Sequence, residues 1–152
     1  MTHREHTPSV GIAALKIALV ASREHRAYVD ELVRAAVQTL TQQQIDKEQI
    51  RMMWAPSAFQ LPLVAKSIAE SHDFDGVIVL GALAKDATDR YFFEGAEVYR
   101  ALMDVMMNFG IPMSVGIASG ERLADVKHAV RAKAEKNVGA RAARDLIDIL
   151  TT

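Results

Sequence analysis

Cysteine is absent from this chain of 152 residues, which excludes disulfides, thiolate metal sites and a cysteine nucleophile. Charge of one sign is also lacking. Eighteen Lys and Arg face nineteen Asp and Glu, for a formal net charge of −1, so no basic field draws nucleic acid or an anionic membrane. No apolar run approaches the roughly 20 residues that span a bilayer, and Met1 to Val10 lack the apolar core of a signal peptide. A cytoplasmic protein with no nucleic-acid and no membrane partner is expected. Histidine is scarce, at five, and no pair stands at ligand spacing with a carboxylate, so no metal site is expected. What is present is an ordinary globular balance, half apolar and a quarter charged, in enough chain for one core.

Residues 1–13 (MTHREHTPSVGIA) carry no periodic pattern and read as a flexible arm, disordered or paired with a neighbour's sheet edge. Residues 14–152 read as one domain. Leu15 to Ala21 is a short apolar run, as expected of a strand buried on both faces. Val29, Leu32, Val33, Ala36, Val37 and Leu40 then recur at helical spacing. Further strands are predicted at Ile50 to Ala55, Gly76 to Leu83 and Pro112 to Ala118. Helices are predicted from Ala58 to about Ser71 with Ser57 as N-cap, from the end of AKDATD to Phe109 with Gly110 as C-cap, over Glu121 to Lys133, and over Asn137 to Leu150. Strands alternating with helices imply an α/β fold, a parallel sheet covered on both faces. Met103, Met106, Met107 and Phe109 supply apolar surface for a core or an interface.

Ligands of an open parallel sheet bind beyond the carboxyl ends of its strands. Those ends are Ser22 to His25, Pro56 to Gln60, Ala84 to Arg90, and Ser119-Gly120. In the third, KDATDR, backbone N–H groups at a helix start favour an anion such as phosphate. Thr88 adds a hydroxyl there, and Lys85 and Arg90 add charge. Taken alone, such a loop is more often only a capped turn, since one follows every strand of this kind.

In order, these loops and their strands read LKIALVASREH, APSAFQLPLVAK, DGVIVLGALAKDATDRYFFEGAEV and FGIPMSVGI. From about residue 15 to 150 the chain resembles the lumazine synthase family, most specifically in SAFQLPLVAKSIAESHDFDGVIVLGA. The resemblance implies a three-layer αβα sandwich with a central, mainly parallel four-stranded sheet, flavodoxin-like. It implies the condensation of 5-amino-6-ribitylaminouracil with 3,4-dihydroxy-2-butanone 4-phosphate in riboflavin biosynthesis, through an imine, phosphate loss and ring closure. No metal or organic cofactor takes part in that chemistry. The partner it implies is the chain itself, in a homopentamer or a larger icosahedral shell, with each site between adjacent subunits.

Carried over position by position, the resemblance implies substrate-binding roles for Glu24, Ala58, Phe59, Gln60, Ala82, Leu83 and Val115. Ala87 and Thr88 are implied to hold phosphate, joined by Arg131 from a neighbouring subunit if one residue is deleted before Asn137. Arg131 is equally a solvated helix end. Several positions depart from the family pattern. Glu24 replaces the aromatic that stacks on the pyrimidine, and a carboxylate has no stacking face. Gln60 for glutamate is mild, because a glutamine still accepts and donates. Asp86 replaces a glycine, bringing negative charge to the phosphate loop. Arg90 stands at the catalytic position, aligned with the family's histidine. Histidine takes and returns a proton near neutrality, whereas an arginine stays charged and cannot act as a base. His25, the one histidine in a strand-end loop, is either a partial substitute or an ordinary surface residue. The implied activity is therefore an impaired lumazine synthesis. The alternative is a catalytically inactive structural homologue, pentameric or shell-forming.

Overall fold

The structure, a computed structural model, describes residues 11–131, 133 and 136–152. The first ten residues of the expected arm lie outside the described residues. Ile12 to Ala14, assigned in part to that arm, form one 3-10 turn, and Ile12 packs against the core.

Four strands, β1 (Ile17–Ser22), β2 (Ile50–Ala55), β3 (Gly76–Ala84) and β4 (Met113–Gly120), pair in parallel in the order β2-β1-β3-β4. The described helices are α1 (Arg26–Gln42), α2 (Leu61–Ser71), α3 (Arg90–Phe109), α4 (Leu123–Arg131) and α5 (Val138–Leu150). The result is the three-layer, flavodoxin-like α/β sandwich expected from the sequence, with its sheet wholly parallel.

Side chains of the inner strands alternate between two cores, as the two-residue period of a strand requires. Ile17, Leu19 and Ala21 of β1 join Ile78, Leu80 and Ala82 of β3 against α1, α4 and α5. Ala18 and Val20 join Val77, Val79 and Leu83 against α2 and α3. All six residues of β1 are buried, whereas β2, at the sheet edge, buries only Ala55.

Two predicted helix starts are corrected. Ala58–Gln60 form a 3-10 turn, and α2 proper begins at Leu61 with Pro62 in its first turn, where the missing N–H removes no helical bond. The side-chain oxygen of Gln60 closes that turn by accepting the Ser57 backbone N–H at 3.0 Å and the Ser57 hydroxyl at 2.5 Å. The fourth helix starts at Leu123 rather than Glu121, because the Asp125 carboxylate accepts the Arg122 N–H at 3.1 Å and holds 121–122 outside the helix.

Asn137 caps α5: its side-chain oxygen accepts the N–H groups of Gly139 and Ala140, and its amide donates to the Val130 carbonyl. The next turn passes so close to α1 that a Cβ on Gly139 would lie 2.3 Å from the Leu32 carbonyl oxygen. Gly110 ends α3 at φ 62°, a backbone conformation that favours glycine.

Among the described residues no helix is long and apolar enough to cross a membrane. In the single chain Leu63, Phe92, Tyr99, Met103, Met107 and Phe109 stay exposed, so Met103, Met107 and Phe109 do not enter the core.

Candidate active site

Strand order reverses between β1 and β3: from β1 the chain crosses to β2 on one side, and from β3 to β4 on the other. The loops leaving two such strands diverge and open a crevice at their carboxyl ends. Glu24 and His25 follow β1, Ser57 and Phe59 follow β2, and residues 85–90 lead from β3 into α3.

Two clefts open there and share Glu24, Arg90 and Glu94. One, of about 430 Å³, is also lined by Ser57, Phe59, Phe93 and Glu97. The other, of about 440 Å³, is also lined by His25, Leu83, Ala84, Lys85, Asp86, Tyr91 and Leu123. Phe59 is 66% exposed in the single chain, a large ring presented to the first cleft rather than to the core. Phe93 stands opposite on α3 and meets Phe92 edge-on, with ring centroids 5.8 Å apart.

His25 sits in the left-handed region at φ 53°, and its carbonyl accepts the N–H groups of Tyr28 and Val29 at the start of α1. Its backbone role is thus to turn the chain from β1 into α1, next to Glu24, which lines both clefts.

The 85–90 loop is organised by its own acids. Asp86 Oδ1 accepts the Thr88 backbone N–H and the Thr88 hydroxyl, both at 2.8 Å. Arg90 Nη2 lies 3.6 Å from Asp86 Oδ2, and Lys85 Nζ lies 3.3 Å from Asp89 Oδ1. The two hydrogen bonds from Thr88 hold the Asp86 carboxyl below the usual carboxylate range. The hydrogen bond to Asp89 raises the Lys85 ammonium. Among the described residues no group of three His, Cys, Asp or Glu could hold a metal ion.

The family model for 6,7-dimethyl-8-ribityllumazine synthase matches residues 14–152. The chain belongs to this family. It is 33% identical to the 6,7-dimethyl-8-ribityllumazine synthase of Nitratidesulfovibrio vulgaris over 134 residues, covering 88% of this chain and 85% of that relative. The corresponding proteins of Leuconostoc mesenteroides and Halorhodospira halophila are 31% and 30% identical, over 89% and 93% of this chain and 86% and 90% of theirs.

Of the positions that the lumazine synthase resemblance singles out, the structure brings Glu24, Phe59, Leu83 and Arg90 to the two clefts. Ala87 and Thr88 lie exposed in the 85–90 loop and line neither cleft. Ala58 and Ala82 are buried beneath, able to offer backbone groups only. Gln60 lines neither cleft, since its side-chain oxygen is spent on Ser57. Val115 lies away from them on β4, beside a separate cavity of about 110 Å³ with Tyr99, Met103 and Met113. Arg131, exposed at the end of α4, lines neither cleft of its own chain.

Sequence reasoning missed Phe93, Glu94 and Glu97. Their signal was the spacing from Arg90: residues three, four and seven along share one helical face. That pattern was readable, but only the placement of α3 over the crevice shows that the face is a wall of the site.

Proposed function

We propose that this lumazine synthase family member condenses 5-amino-6-ribitylaminouracil with 3,4-dihydroxy-2-butanone 4-phosphate, slowly, as part of riboflavin biosynthesis. The observation that carries this reading is the convergence of Glu24, Phe59, Leu83 and Arg90 on one crevice at the sheet's switch point. Phe59 offers the stacking face for the pyrimidine that Glu24 cannot supply. Backbone groups of Ala82 and Leu83 meet the ring edge, and Ala87 and Thr88 receive the phosphate. Arg90 binds and orients by charge. Holding the amine and the carbonyl together supplies much of the acceleration without a proton carrier. The chain's own groups suffice for imine formation, phosphate loss and ring closure, with no cofactor.

In this reading the working unit is a homopentamer, with a larger shell as a further assembly, in the cytoplasm. Val115 and Arg131, remote from their own chain's crevice, serve that of a neighbouring copy. The exposed Tyr99, Met103, Met107 and Phe109 of α3 support self-association, since apolar surface of this extent is uncommon on a monomer.

A second reading is a non-catalytic structural homologue. Arg90 favours it, because a guanidinium does not shuttle protons. The two are separated by incubating both substrates with the protein at high concentration and following lumazine by chromatography. The catalytic reading expects slow, protein-dependent product. No turnover at high protein concentration overturns it.

A further inference from the structure

Residues 85–90 place four charges in six positions, and they sum to zero: Lys85, Asp86, Asp89 and Arg90. Each cation faces an acid of the same loop, Lys85 with Asp89 at 3.3 Å and Arg90 with Asp86 at 3.6 Å. The loop therefore offers an arriving anion no net positive charge.

Both Thr88 donors are engaged as well. Asp86 Oδ1 takes both the backbone N–H and the hydroxyl of Thr88, while the carboxylate's other oxygen points to Arg90. A phosphate monoester asks for the same set of partners: a backbone N–H at a helix start, a hydroxyl and a guanidinium. One set of donors cannot serve both anions.

We propose that Asp86 is a built-in occupant of the anion subsite and its specificity-determining residue, so that a phosphate-bearing ligand binds only by displacing the Asp86 carboxylate. This rests on the reading of the 85–90 loop as the phosphate-binding part of the crevice. Displacement does not remove the cost, because the carboxylate is tethered two residues from Thr88 and repels the dianion beside it. Mild acid does not empty the subsite either. A carboxyl held below its ordinary range keeps its contacts above that range and loses them only as pH falls through the lowered value.

The test is a calorimetric titration of the intact protein, in whatever assembly it forms, with inorganic phosphate at neutral pH and low salt. Asp86→Gly removes the occupant, and Asp86→Asn keeps an acceptor for Thr88 but removes the charge. Asp86 is an exposed loop position, and melting curves verify that the variants fold. Phosphate affinity is expected to rise by about tenfold in Asp86→Gly, with Asp86→Asn between it and the parent. Adding Thr88→Val to Asp86→Gly is expected to reduce the gain, because the contested hydroxyl is lost while the backbone N–H and the relief of charge remain. Asp86→Gly binding phosphate no more tightly than the parent overturns the proposal, as does a gain that Thr88→Val leaves undiminished. The titration needs no turnover, so a failed lumazine assay leaves it intact, and a failed titration leaves lumazine formation standing.

Discussion

On the catalytic reading, replacing Arg90 with histidine is expected to raise the rate of lumazine formation by about 10²-fold, the lower end of what a positioned proton-transfer group contributes. Arg90 is the first residue of α3 and lines both clefts with Glu24 and Glu94. An imidazole there departs from the same Cα into the same space, with a proton affinity suited to neutral pH. The substitution gives up the Arg90–Asp86 contact, but that pair is 3.6 Å long with both side chains mostly exposed, and such pairs contribute little. The gain should appear in kcat more than in KM, because proton transfer belongs to the transition state. Arg90→Ala is the control that removes the charge without adding a base. Equal rates for Arg90→His and Arg90→Ala would remove proton transfer from the account of this position.

The largest effect on stability is expected from Gly139→Ala. The added methyl would lie 2.3 Å from the Leu32 carbonyl oxygen and 2.9 Å from the Leu32 carbonyl carbon and Cα. Two opposing terms decide the sign. Alanine is the better helix former by about 1 kcal/mol, whereas overpacking typically costs about 1–3 kcal/mol and more where nothing can move. Here the obstacle is the backbone of α1, whose residues Leu32 and Ala36 are buried on that side, so no side chain can swing aside. The clash wins. A net loss of about 2–3 kcal/mol lowers Tm by roughly 4–12 °C for a chain of this length. Gly11→Ala, with open space around its Cβ, should leave Tm unchanged. A Gly139→Ala protein that melts at or above the parent's temperature would contradict the close crossing of α1 and α5.

How much of this was legible in the sequence depended on whether the information was local. The inner strand β1 was legible because burial on both faces leaves an unbroken apolar run. The turn at Ala58–Gln60 was not, because Ser57, Gln60 and Pro62 suit a helix start and a 3-10 entry alike; the bonds from Ser57 to Gln60 decide between them. At the site, the family pattern marked Glu24, Phe59 and Arg90, and the fold brings these three together. The same pattern marked Gln60, which the chain uses to close its own turn. Glu94 and Glu97 were not singled out, because a helical period says which residues share a face and not what the face looks onto. The charge of Asp86 was evident in the sequence. That its carboxylate folds back onto Thr88 is a local turn habit of aspartate, which the structure shows realised here.

The crevice is held to be a pyrimidine site with Phe59 as its stacking wall, and calorimetry with 5-amino-6-ribitylaminouracil alone tests that most directly. Saturable heat at one ligand per chain is predicted, with affinity falling by about tenfold or more in Phe59→Ala, the usual loss when an aromatic face under a base is removed. No saturable binding, or Phe59→Ala binding as tightly as the parent, would contradict it.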